Sequence, residues 1–157
     1  MRRTSIIGAA ALLAAALSAS GSAVGASKPP HKRPFNAVAA GARISTSGNR
    51  FEVAYRVKRS PDGGGAGLQD GVLLGTTYPA VVHDTTKTFY ADGVQRTSET
   101  YTMASPHTNG VGTITGQGKC TTGSGVHKGE TCTYRMTGTY DLQTGAMHLR
   151  FAGTLTR

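Results

Sequence analysis

Tryptophan is absent, cysteine occurs twice, and only 8 Asp and Glu stand against 17 Lys and Arg in the 157 residues. Each shortage excludes something. Without Trp, the indole that fills an immunoglobulin-type sandwich core is missing. The two cysteines form no CxxC, and the five histidines form no HxH or HExxH, so the spacing that announces a metal centre is not present. No glycine-rich run combines a preceding strand, a following helix and a lysine, so the glycines read as turns and not as a phosphate cradle. After the first 26 residues there is no amphipathic helix, no long apolar run and no repeat of solenoid period. Neither a metal nor a cofactor is expected.

What remains is alternation. Phe51, Val53, Tyr55 and Val57 share one parity, while Glu52, Ala54, Arg56 and Lys58 share the other. A period of two with one apolar side marks a half-buried strand. Cys132, Tyr134, Met136, Gly138 and Tyr140 repeat the pattern against Thr131, Thr133, Arg135, Thr137 and Thr139. A turn at Asp141–Gly145 follows, and then Met147, Leu149, Phe151 and Leu155 form the apolar side of an antiparallel partner. Earlier segments add further strands: Ala42 to Thr46, Val72 to Tyr78 and Ala80 to His83 around Pro79, and Thr85 to Ala91 with Val94 to Met103 about an Asp92-Gly93 turn. Ser60 to Gly67 reads as a flexible loop.

The N-terminus has the three parts of an export signal: Arg2 and Arg3, an apolar stretch from Ile6 to Leu17, and the small residues Val24-Gly25-Ala26. Cleavage is expected after Ala26, giving a secreted, extracellular protein, because the apolar run falls short of the roughly 20 residues that span a bilayer. Residues 27–40, beginning SKPPHKRP, read as a basic, proline-rich, disordered leader, and residues 41–157 as one domain. The formal charge of +9 suggests weak attraction to anionic envelope polymers. Specific nucleic-acid recognition is not indicated, since the cations are scattered singly without interleaved aromatics.

An even cysteine count in an exported chain favours a disulfide. The stretch TTGSGVHKGET separates Cys120 from Cys132 and contains three glycines, a hairpin loop able to bring two strand positions within a bridge's reach of roughly 5.5 Å. About eight strands with local connections indicate an all-β, antiparallel eight-stranded barrel, with a β-sandwich as the alternative.

The run from Gly116 to Tyr140 resembles the glycine-punctuated end of the allene oxide cyclase and dirigent-like barrel superfamily, with Gly125, Gly129, Tyr134, Gly138 and Tyr140 as matching positions. Cys132 stands where that segment usually has Gly, and His127 where it often has an aromatic. The resemblance implies an eight-stranded barrel, often oligomeric, with an apolar interior that binds small molecules or guides cyclisation of a lipid or phenolic intermediate.

Phe51, Tyr55, Tyr101 and Tyr134 are the candidates to contact a small apolar ligand. Glu99, which shares parity with Tyr101 and Met103, is the candidate buried acid or base of a cyclase- or isomerase-like enzyme. His83 and Asp84 point to opposite faces of one strand and make a poor dyad. His127, Lys128 and Glu130 read as a solvated loop.

Overall fold

The computed structural model describes residues 30–60 and 63–157, and none of them is helical. The proposed signal segment, 1–26, lies outside the described residues. Eight strands follow in chain order: β1 (Lys32–Ser47), β2 (Arg50–Ser60), β3 (Gly63–Leu74), β4 (Ala80–Tyr90), β5 (Gly93–Met103), β6 (Val111–Gly125), β7 (Thr131–Asp141) and β8 (Ala146–Thr156). Each pairs antiparallel with its successor, and β8 returns to β1 to close a barrel. The sandwich alternative falls, because every strand has a neighbour on both sides and the wall has no free edge.

The alternation sorts as expected. Val53, Met136, Leu149 and Leu155 point inward and are buried, while Arg56, Lys58, Arg135 and Arg150 point out. This is the inverse of a barrel whose wall faces lipid, where apolar residues lie outside. The main core takes in Phe51, Val82, Tyr101, Ile114 and Met147, and a smaller cluster of Phe35, Cys132, Tyr134 and Leu155 fills the disulfide end.

Two segments read as lying outside the wall are part of it, and the strand expected over Val72 to Tyr78 stops at Leu74, with a bend over 75–79. Most of the expected leader is wall: β1 begins at Lys32, and the ladder runs from Lys32 opposite Thr156 to Ala42 opposite Ala146. Phe35, Ala37 and Ala39 supply the inward face, and the open edge of β8 supplies hydrogen bonds that a free leader lacks. Likewise the expected loop at 60–67 contains the first half of β3, paired to β2 and β4. Glycine is weak in a strand by propensity, but here it makes room for rings. An added Cβ at Gly67 would run into Tyr55, one at Gly71 into Phe51, one at Gly112 into Tyr140 and one at Gly118 into Tyr134.

Cys120 on β6 and Cys132 on β7 are joined, with Cα atoms 4.9 Å apart, a bond compatible with an extracellular location. Closing so short a loop contributes about 3 kcal/mol in the chain-entropy treatment. Cys120→Ser should therefore lower the melting temperature while far-UV circular dichroism keeps its β-signature. An unchanged melting temperature would show that the bond carries no stability.

Candidate functional site

The inward side chains divide the barrel along its axis. At the end formed by Tyr78, Met103 and Tyr140 the filling is apolar and aromatic: Tyr78 stacks on Tyr140, whose hydroxyl donates to the Ala104 carbonyl at 2.5 Å.

Halfway down, Asp84 on β4 lies directly opposite Glu99 on β5, and both are buried. Glu99 accepts from three hydroxyls: Tyr134 and Thr97 donate to Oε1, the latter at 2.5 Å, and Thr86 donates to Oε2 at 3.0 Å. Asp84 Oδ2 accepts from Gln69, whose amide also donates to the Tyr101 hydroxyl at 3.2 Å. Two charges side by side out of water repel strongly. Burial, then hydrogen bonding and repulsion from Glu99, push the Asp84 carboxyl up to about 10. At neutral pH Asp84 is a neutral acid facing Glu99, whose carboxyl already accepts from three hydroxyls. Burial also lifts the Tyr55, Tyr101 and Tyr134 hydroxyls far above their ordinary range, which keeps them protonated and leaves them no role as bases.

The disulfide end is closed by a second polar cluster. Arg59 donates to Gln95 at 2.8 Å and to Glu130 at 3.2 Å, and Arg157 donates from Nε to Glu130 at 2.7 Å. His127 Nδ1 lies 3.3 Å from Glu130 and its ring packs on Tyr90, while Arg59 lies over the same Tyr90 ring. His127 and Glu130 are 1% and 4% exposed, so these two side chains form a buried plug, while Lys128 between them is exposed as expected of a solvated loop. The chain there turns back under the barrel, with His127 N donating to Ser124 O and Val126 N to Asp92 O.

Between these layers lies a cavity of about 60 Å³. One wall is hydrocarbon, from Ala37, Ala39, Val53, Met136, Met147 and Leu149, and the facing wall is polar, from Thr86, Thr88, Gln95, Thr97 and Glu99. The space holds a few waters, well below the ~300–1,000 Å³ of a drug-sized site. Of the residues singled out from sequence, Tyr55, Tyr134 and Glu99 line it. Phe51 and Tyr101 do not, being packed in the core under Gly71 and against Gly116. On the polar wall Glu99 already accepts from three hydroxyls, and Gln95 is engaged by Arg59 and Glu130. Tyr55 and Thr88 share one hydrogen bond of 2.5 Å between two hydroxyls, which leaves one hydroxyl proton over.

These features define a water-facing, closed antiparallel barrel with a small two-faced interior. No family model, curated protein or solved structure matches the chain.

Sequence reasoning missed Asp84 as the partner of Glu99, because the turn signal points to a different register. With Asp92-Gly93 as a two-residue hairpin turn, Asp84 would face Tyr101. In the structure the turn is Ala91-Asp92, Tyr90 faces Gly93, and the register moves by two residues to set Asp84 against Glu99. Gly93 is needed for space, since a Cβ there would strike the Ser124 carbonyl. The buried plug was signalled by Arg59, which continues the inward parity of Phe51 to Val57 and so requires an internal anion.

An acid whose folded pKa lies above its ordinary 3.8 holds its proton more tightly in the folded state. Its contribution is complete below about pH 4 and is lost as pH rises toward 10, at up to ~1.4 kcal/mol per pH unit. Asp84→Asn, which keeps the neutral shape, should flatten the fall in melting temperature between pH 5 and 9 and exceed the parent at pH 8. Parallel curves for the two proteins would rule out a proton on Asp84.

Proposed function

We propose that this protein is exported and that its barrel receives a small, neutral, mostly apolar molecule carrying one carbonyl or hydroxyl group. The observation that carries the reading is the two-faced cavity, hydrocarbon on one wall and, opposite it, the Tyr55–Thr88 hydroxyl pair with hydrogen-bonding capacity left over. The apolar wall includes two methionines, Met136 and Met147, whose flexible thioethers repack readily and let the space widen for a guest. The resemblance to the allene oxide cyclase and dirigent-like barrels supports an interior site of this kind. Export is supported by the charged, apolar and small-residue segments of the N-terminus and by the disulfide.

The second reading, a cyclase- or isomerase-like enzyme, draws on the buried Asp84–Glu99 pair. It is disfavoured because Glu99 is already held by three hydroxyls and Asp84 is not part of the cavity wall.

Protein labelled at its methionine methyls and titrated with 2-butanone and with phenol should give saturable shifts at Met136 and Met147. Tyr55→Phe should weaken binding about three- to tenfold, the worth of one hydrogen bond, and Ala39→Leu should abolish it by filling the slot. Shifts that do not saturate, or that ignore Tyr55→Phe, would refute the interior site. Separately, protein collected from the medium of a secreting host should begin at Ser27 on N-terminal sequencing; retention in the cell with Met1 intact would overturn export.

A further inference from the structure

Cations scattered in the sequence are gathered by the barrel's register. On the outer wall, Val38 of β1 lies between Lys58 of β2 and Arg150 of β8, and Ala40 lies between Arg56 and His148. Thr137 and Thr139 of β7 continue the two rows beyond β8. Neighbouring strands are ~4.8 Å apart and alternate residues of one strand ~7 Å apart. The four basic side chains thus stand at the corners of a rectangle of about 10 by 7 Å, with the small side chains of β1 as a floor between them. The depression they enclose measures about 700 Å³. Arg135, opposite Ala152 on β8, extends the field.

This wall is not neutralised locally. Of the 8 acids, Asp84, Glu99 and Glu130 are buried inside the barrel. The acids on the four strands of this wall are Glu52, near the start of β2 and hydrogen-bonded by Ser45, and Asp141, the last residue of β7. Among the described residues no carboxylate pairs with Arg56, Lys58, Arg135, His148 or Arg150. By drawing carboxylates inward, the fold leaves its outer face more cationic than the composition indicates.

We propose that the trough along β1 binds a linear, base-free phosphodiester polymer of the polyol phosphate type. Its cations recur along the strands as anions recur along such a chain, and the two arginines present planar forks suited to phosphate oxygens. The floor and rim consist of Val38, Ala40, Thr137 and Thr139; His148 supplies the one ring of the lining, and no Phe, Tyr or Trp is there to form a stacking platform for successive nucleobases. A polymer that offers backbone phosphates and no bases uses everything this wall supplies. The site is on the outside of the barrel and independent of the interior cavity.

The test compares two charge-matched triple variants of the whole protein: Arg56→Gln, Lys58→Gln, Arg150→Gln in the trough, and Lys87→Gln, Arg96→Gln, Lys119→Gln on the β4–β6 wall. Binding to a synthetic glycerol phosphate oligomer would be measured against salt concentration, with oligo-dT and polygalacturonate as comparison ligands. The trough variant should lose at least tenfold in affinity and about two units of the log–log salt slope, at roughly 0.7 per released contact, while the other variant loses less than threefold. Equal losses in both variants would reduce the interaction to net charge and overturn the site. Tighter binding of oligo-dT or of polygalacturonate, lost in the trough variant, would overturn the assignment to a base-free phosphodiester. Because all six side chains point outward, a fold defect common to one variant would appear in its circular dichroism, and single Arg150→Gln and Arg56→Gln variants then decide the question by the same criterion.

Discussion

Closure of the ring by the β1–β8 ladder is the constraint on which the rest depends. A strip of eight strands left open would expose two edges and would have no inside in which to bury Asp84, Glu99, Arg59 or Glu130. Closure also brings the N-terminal strand against the C-terminal one, so Phe35 packs edge-on against Tyr134 at 5.9 Å across a separation of most of the chain. The contacts that complete the ring are the least local in the sequence, and their loop-closure cost is met only when the last strand is in place.

Once closed, the barrel is too narrow for charge to remain unpaired. Both interior polar clusters obey this restriction in different ways. At the disulfide end, Glu130 is held by two arginines and a histidine ring, an ionic solution whose partners come from β2, the residue after β8 and the 126–130 turn. In the middle, no cation among the described residues pairs with the two carboxyls, and the conflict is relieved by keeping a proton on Asp84. A carboxylate held by three hydroxyls is a poor reagent but a good brace. Glu99 ties β4, β5 and β7 together through Thr86, Thr97 and Tyr134 and so holds the polar wall of the cavity in place.

How much of this could be read beforehand depended on whether the information was local. Inward and outward parity is a property of neighbouring residues, so the strands around Phe51 to Val57, Cys132 to Tyr140 and Met147 to Leu155 were legible, as was the disulfide. Glu99 was placed inward for the same reason. Register is less local: moving the β4–β5 turn by one residue exchanged the partner of Asp84 from Tyr101 to Glu99 without disturbing parity. The strand character of 32–40 and 63–67 was not legible, because proline and glycine are poor strand residues alone and the partners that hold them lie on other strands. The cationic trough was hidden for the opposite reason, since its residues are ordinary in sequence and meet only through the pairing of β8, β1 and β2.

The pairing of rings with glycines has a consequence for how such a chain can vary. Tyr55 lies over Gly67, Phe51 over Gly71, Tyr134 over Gly118 and Tyr140 over Gly112, each ring occupying the volume that its neighbour gives up. Neither member can change alone: enlarging the glycine evicts the ring, and shrinking the ring opens a hole beside a residue with no side chain to fill it. Drift at these positions must therefore proceed by coupled exchange, large for small on one strand and small for large on the next. Related barrels could preserve the same interior while sharing few identical residues along their walls.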